Sequence, residues 1–258
     1  MPPKTQIGRN IFIPADCDQI ALEGFLEELR TRLKDDRSEI SVDCSLLEHT
    51  SSSHIIALWQ ALTRCEEAGV RMRLSSVGYG LERVLEVLDL YDLFVVDQKN
   101  REPEPTSQHA GFGPTPPGAF SMEFEASMDG VADALLGFHE FLKKIDVTEV
   151  CAFDLETVFY EVATNICRHG GLEQGSIISF AASLLDRHLC LRFTDAGAPF
   201  DPTGSVSDFN PREVIRKKQR HGLGLTMIRR LVDSLSYEWI DDGLNVVTLQ
   251  KQLTLQRR

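Results

Sequence analysis

Glu161 and Asn165 stand four residues apart in the run Glu161-Val162-Ala163-Thr164-Asn165-Ile166-Cys167-Arg168-His169-Gly170. On a helix that spacing stacks the two side chains on one face. A carboxylate there can take a proton from a hydroxyl, and a carboxamide oxygen beside it can ligate a hard cation such as magnesium. Further on, Asp195-Ala196-Gly197-Ala198-Pro199-Phe200-Asp201-Pro202 follows the alternating stretch Leu189 to Thr194. An aspartate at a strand end, with a glycine that admits a close neighbour, suits a flat amino-bearing ring. A third stretch, Arg220-His221-Gly222-Leu223-Gly224-Leu225, opens an amphipathic segment. Glycines at a helix N-terminus leave backbone N–H groups and the positive end of the dipole open to phosphate. Each stretch also has an ordinary reading: a solvated Glu and Asn, a turn, a helix start. Their order and spacing within one region make the set specific.

These groups need particular elements to carry them. Leu155, Val158, Val162 and Ile166 recur at three and four residues, so the decapeptide reads as the end of a helix with one apolar stripe. His169 is expected to pack or cap rather than to act as a base. Upstream, Phe120 to Ala126 alternates like an edge strand, and Val131 to Ile145 is an amphipathic helix. Ser176 to Leu184 and Leu189 to Thr194 read as antiparallel strands joined at Asp186-Arg187. Thr203 to Arg220 is polar, with Arg216, Lys217, Lys218 and Arg220, and reads as a lid between the glycine-bearing stretches. A helix is expected over Leu223 to Leu235, then strands over Ser236 to Ile240 and Leu244 to Leu253.

Residues from about 120 to 252 resemble the ATP-binding domain shared by histidine kinases, gyrases and the bacterial anti-sigma factor serine kinases. Glu161-x-x-x-Asn165 resembles the family's N box, Asp195-x-Gly197-x-Pro199-Phe200 its first glycine box, and Gly222-x-Gly224-Leu225 its second. His169-Gly170 after the N box and the run from Pro199 to Pro202 are closest to the anti-sigma kinase branch. The resemblance implies an α+β sandwich of the Bergerat type that binds ATP with Mg²⁺. It also implies phosphoryl transfer to a protein serine, which is mostly positioning and charge neutralisation. Asp195 and Gly197 would then receive the adenine, and Asn165 would ligate Mg²⁺. Gly222, Gly224 and Leu225 would offer amides to the phosphates, with Arg220 on the terminal phosphate and Glu161 as the base. A sensor-kinase fragment would need a phosphoacceptor helix pair upstream, which is not visible. A gyrase-like ATPase would need a longer span with a transducer domain.

The first hundred residues alternate strand and helix: strand-like from Ile7 to Ile13, helical over Ala21–Leu33, strand over Ile40–Cys44, helical over His54–Ala68, strand over Val70–Leu74, helical over Leu81–Leu90 and strand over Phe94–Val96. Such alternation predicts an α/β layer with a parallel or mixed sheet. This half resembles a STAS domain, the fold of anti-sigma factor antagonists. Asp43-x-Ser45 matches the opening of the family's motif, and Gly69 its closing glycine. Ser51 falls where the family has Asp, Ser52 on its phosphoacceptor serine, and His54 on its Gly. Ser52 is therefore a candidate phosphosite, and the alternative for Ser51 to Ser53 is helix N-capping.

Residues 98–119 hold Pro103, Pro105, Pro114, Pro116 and Pro117 with Gly111, Gly113 and Gly118, the composition of a linker. If flexible it would span ~25 Å, enough to let a first domain reach a second in cis. The net charge of −12, half of it within the first hundred residues, argues against nucleic acid or an anionic membrane as partner. The six cysteines (17, 44, 65, 151, 167, 190) form no Cys-x-x-Cys pair and read as reduced thiols of a cytoplasmic protein. No signal peptide or membrane-spanning run is visible. The expectation is thus an α/β STAS-like domain over 1–97, a linker over 98–119 and an ATP-binding domain over 120–258. Together they would form a serine/threonine kinase and anti-sigma factor of a partner-switching system. Its expected partners are a STAS antagonist protein, a sigma factor, its own STAS domain and, as in the resembling kinases, a second copy. The alternative is a non-catalytic, ATP-dependent interaction module regulated in cis by the STAS domain.

Overall fold

The computed structural model describes residues 10–15, 19–35, 39–47, 49–97, 119–185, 187–203, 211–216, 222–240 and 243–254. All of the predicted linker except Ala119 lies outside them, as do Cys17, Lys217, Lys218, Arg220 and His221. By contact the chain divides into two units, Met1–Thr106 with Asn210–His221, and Ser107–Phe209 with Gly222–Arg258. The predicted lid contributes the short described helix α6 (Pro211–Arg216).

In the first unit, strands β1 (Asn10–Phe12), β2 (Glu39–Asp43), β3 (Arg71–Ser75) and β4 (Val95–Val96) lie side by side in that order, all parallel. Parallel neighbours need crossover connections, and helices α1 (Gln19–Asp35), α2 (Ser52–Glu67) and α3 (Tyr79–Val87) supply them. Phe25 and Leu29 of α1, Ile55 and Leu58 of α2, and Leu81 and Leu85 of α3 are buried with Ile11, Val42 and Leu74 of the sheet. Helix α3 ends three residues before the expected Leu90, because Asp89 turns the chain with φ 58° and a 3₁₀ turn follows at Tyr91–Leu93.

The start of α2 shows which residues cap it. Ser51 is its N-cap and is only 3% exposed. The Ser51 N–H donates to His54 Nδ1 at 3.0 Å, and Ser51 Oγ lies 2.9 Å from the same nitrogen. His54 Nε2 lies 2.8 Å from the Ala15 carbonyl, which only accepts, so Nε2 carries the proton and Nδ1 is the acceptor. Capping therefore belongs to Ser51 and His54. Ser52, the candidate phosphosite, is the half-buried first residue of the helix. Asp43 accepts from the Ser45 N–H at 2.9 Å, and Gly69 ends α2 at φ 69°. Burial pushes the Asp43 carboxyl up, but hydrogen bonds from Ser45, Ser76 and Asn10 outweigh it and hold the group below its ordinary value.

In the second unit, β5 (Ala119–Glu125), β6 (Ile177–Leu185), β7 (His188–Asp195), β9 (Leu244–Gln252) and β8 (Ser234–Ile240) form an antiparallel sheet in the order β5-β6-β7-β9-β8. Helices α4 (Met128–Lys144), α5 (Glu149–His169) and α7 (Leu223–Leu231) bury their apolar residues with one face of it. Strand alternation sends Ile178 and Phe180 of β6 and Leu191 and Phe193 of β7 to that face. Phe138 and Phe159 from the helices meet Phe180 edge-on, with ring centroids 5.1 and 4.8 Å away.

The helix expected over Leu223–Leu235 stops at Leu231. Val232 is extended (φ −117°, ψ 158°), the Asp233 N–H donates to the Gln250 carbonyl at 2.8 Å, and the Asp233 carboxylate accepts the Gln252 N–H. Leu235 continued the four-residue rhythm of Met227 and Leu231 only by coincidence: it is a strand residue paired with Leu249.

Helices α4 and α5 are also joined by His139 Nδ1 and Glu156 Oε1. The hydrogen bond that His139 donates to Glu156 raises the His139 pKa above its ordinary 6.5, against the opposing effect of burial. A raised histidine contributes stability below its unfolded pKa and loses it as pH rises through the folded value. Relative to His139→Gln, the wild type is therefore expected to resist urea better at pH 5.5 and to converge with it by pH 8.5. A stability difference independent of pH would contradict the ion pair.

Candidate functional site

Thr148 caps α5, its hydroxyl accepting from the Cys151 N–H at 3.4 Å. About six turns later Gly170 closes the helix, its N–H on the Ile166 carbonyl at 2.8 Å. A side chain at Gly170 would place a Cβ 2.6 Å from that carbonyl. The Gly170 carbonyl in turn accepts the Ala198 N–H at 2.6 Å, which ties the end of α5 to the loop after β7.

Asp195 ends β7 and is 4% exposed. The alternation that buries Leu191 and Phe193 buries it too, on the helix-covered face. Its Oδ1 accepts from the Gly197 N–H at 2.8 Å and from Asn245 Nδ2 at 2.9 Å. Its Oδ2 accepts nothing from the described residues. Gly197 was expected to let a flat ring lie close. The neighbour its missing side chain admits is the Gly170 carbonyl, 2.4 Å from where a Cβ would stand.

Gly222 is the N-cap of α7 with φ 101° and ψ −18°, a left-handed conformation that favours glycine. The Thr226 N–H and hydroxyl both bond the Gly222 carbonyl, at 3.0 and 2.8 Å. The N–H groups of Leu223, Gly224 and Leu225 precede the first intrahelical bond, so they are the helix's orphan donors. Gly224 is buried, and Leu225 is half-buried.

A cleft partly open to solvent gathers these elements. Val162, Asn165, Ile166, His169 and Gly170 line it from α5 and its end, and Asp195, Ala198, Phe200 and Pro202 from β7 and its loop. Leu225 and Ile228 line it from α7, Leu235 from β8, and Asn245 and Val247 from β9. Mostly apolar walls with a few convergent polar groups are the composition of a small-molecule site. The Asn165 carboxamide makes no hydrogen bond to the described residues, so it is free to meet a ligand. His169, expected to be packed or capping, is exposed at the rim.

A family model for the histidine kinase-like ATPase domain matches residues 124–251, and a STAS domain model matches residues 4–108. The chain joins a STAS domain to a histidine kinase-like ATPase domain. Among solved structures, the RsbU and RsbW domains of a Mycobacterium tuberculosis protein superpose with a TM-score of 0.41 at 20% identity, over 56% of this chain and 34% of that one. This chain thus spans about a third of that protein's length. The SiaB-SiaC complex of Pseudomonas aeruginosa gives 0.38 at 18% identity, over 51% and 88%. The histidine kinase AdeS of Acinetobacter baumannii gives 0.34 at 12%, over 92% and 96%. No curated protein sequence matches the chain.

Within the ATPase domain, the fold brings Asn165, Asp195 and Leu225 to one cleft, whereas Gly197, Gly222 and Gly224 are not among the described residues that line it. Glu161, one turn before Asn165, is 2% exposed and is not among the described residues that line the cleft. Arg220 lies outside the described residues. Among the described residues no group of three or more His, Cys, Asp or Glu side chains could hold a metal ion, and no helix is long and apolar enough to cross a membrane. Cys44, Cys65, Cys151, Cys167 and Cys190 are free thiols, and burial, helped by Asp43, pushes Cys44 up to about 12. Sequence reasoning missed Asn245, a polar residue on the buried face of β9, whose local signal was its place in that alternation.

The packing of Gly197 makes a further prediction. Gly197→Ala drives a methyl group into the Gly170 backbone and the Asp195 carboxylate, and overpacking of this kind costs about 1–3 kcal/mol. The variant is expected to melt at lower temperature and to lose the stabilisation that Mg-ATP gives the wild type. An unchanged melting temperature with and without nucleotide would refute the close approach.

Proposed function

We propose that the chain is an ATP-binding regulator of a partner-switching system, transferring the terminal phosphoryl group of Mg-ATP to a serine of a STAS-domain antagonist protein. The observation that carries the nucleotide reading is Asp195: a buried carboxylate with one oxygen committed to the protein and the other free in an apolar cleft. A free carboxylate oxygen there fits an exocyclic amino group, as on adenine. The orphan amides of α7 beside the same cleft fit phosphate. Bound Mg-ATP would supply the phosphoryl group and neutralise its charge. Asn165 would ligate the magnesium through its carboxamide oxygen alongside phosphate oxygens. Arg220 would balance the terminal phosphate, and Glu161 would hold the proton of the incoming serine hydroxyl.

A second reading, an ATP-dependent interaction module without transfer and regulated in cis by the STAS domain, is favoured by the depth of Glu161. A base that is 2% exposed must be uncovered before it can meet a hydroxyl. Incubating the full-length protein with Mg-ATP labelled at the γ-phosphate and a STAS antagonist separates the two. The first reading expects label on a partner serine. Nucleotide binding without label on any partner supports the second. Label at Ser52 of the chain itself would make the attached STAS domain a cis substrate. A sigma factor as competing partner and a homodimer belong to the same proposal, and sedimentation of the protein with and without Mg-ATP tests the dimer.

A further inference from the structure

We propose that Asn245 and Tyr237 are positioning residues that select the nucleotide base, by holding the Asp195 carboxylate so that one of its two equivalent oxygens is turned to the cleft as an acceptor. This rests on the reading of Asp195 as the base-binding carboxylate. Asn245 sits on β9 directly opposite Asp195 on β7, and it is 4% exposed. One end of its carboxamide lies 2.9 Å from Asp195 Oδ1, 3.2 Å from the Gly197 carbonyl and 3.3 Å from the Ala198 carbonyl. All three are acceptors, so the atom facing them is the nitrogen. One of its hydrogens serves the carboxylate, and the other is shared by the two carbonyls of the loop.

The carboxamide oxygen then points the other way and accepts the Tyr237 hydroxyl at 2.8 Å. Tyr237 is on β8, cross-strand from Val247 and so diagonal to Asn245 on the same face. Burial, and then the charges of Asp201 and Asp195, raise the Tyr237 pKa above its ordinary value of 10 despite a bond from the Phe200 backbone. The hydroxyl therefore keeps its proton and remains a donor. An amide with a donor on its oxygen and three acceptors on its nitrogen has one satisfied orientation.

The consequence reaches the ligand. With the Gly197 N–H and Asn245 Nδ2 both on Oδ1, the oxygen left to the cleft is acceptor-only. It takes the amino group of a 6-aminopurine and opposes the carbonyl of a 6-oxopurine. If the amide turned over, its oxygen would face the carboxylate and this arrangement would fail. In Asn245→Asp two carboxyl groups meet, one of them takes a proton, and the pair can donate to a 6-oxo ring.

The test is calorimetric titration of the full-length protein with Mg-ATP and with Mg-GTP. Tyr237→Phe keeps the ring and removes only the donor. It is expected to lower the ratio of ATP to GTP affinity by roughly three- to tenfold, the scale of one neutral hydrogen bond. Asn245→Asp is expected to lower it by about tenfold or more, in line with hydrogen bonds to a charged group. A merely structural role would move the melting temperature and leave this ratio in place. If Asn245→Asp does not fold, Tyr237→Phe decides alone. If Asp195→Asn loses ATP while both other variants keep the wild-type ratio, the positioning role is wrong and the reading of Asp195 stands. If Asp195→Asn binds ATP like the wild type, both are wrong.

Discussion

Asp195→Asn is expected to weaken Mg-ATP binding by about ten- to a hundredfold, the loss of a charge-assisted bond worth about 1.5–3 kcal/mol. The substitution changes no volume, so the effect reports chemistry. Gly197 and Asn245 both donate to the oxygen on the loop side. The new amide therefore keeps its oxygen there and turns its NH₂ to the cleft. A donor then faces the donor of an adenine amino group, where the wild type offers an acceptor. Calorimetry of the two proteins, with circular dichroism to show equal folding, measures it. Equal affinities would remove Asp195 from the nucleotide site.

Glu161→Gln is expected to leave Mg-ATP affinity within about twofold of the wild type and to slow phosphoryl transfer by about 10²-fold or more, the scale of a lost general base. Gln keeps the size and one acceptor oxygen of Glu but cannot take a proton. The nucleotide cleft is lined one helical turn further on, at Asn165, so binding should be spared. Rates of label transfer to a STAS partner under saturating nucleotide provide the measurement. Transfer at the wild-type rate would show that Glu161 is a structural residue of α5. A rate loss together with a large fall in melting temperature would assign it to packing.

Much of the site was legible because its signals are local. A helix period relates residues four apart, so Glu161 and Asn165 were visible as neighbours. Strand alternation through Leu191 and Phe193 made Asp195 a strand-end group on the apolar side. Gly222 and Gly224 stood at the start of an amphipathic segment, where a helix N-terminus was expected. The same local rules located the β6–β7 hairpin and the parallel order of strand and helix in the first hundred residues.

Other features depend on which elements become neighbours, and no local pattern carries that. Glu161 is buried because α5 packs against α4, α7 and β7, whereas the apolar stripe alone left it at a boundary. Helix α7 ends at Leu231 because Asp233 is bonded to β9, a strand that begins more than ten residues later. His54 locks the start of α2 through Ala15, thirty-nine residues away in sequence. The sequence by itself determined which residues could accept an amino group, ligate magnesium or receive phosphate, since side-chain chemistry and local periodicity suffice for that. Only the tertiary structure decided that one oxygen of Asp195 is held by the protein and the other left free. That choice follows from strand order: β9 lies between β7 and β8, and so sets Asn245 opposite Asp195 and within reach of Tyr237.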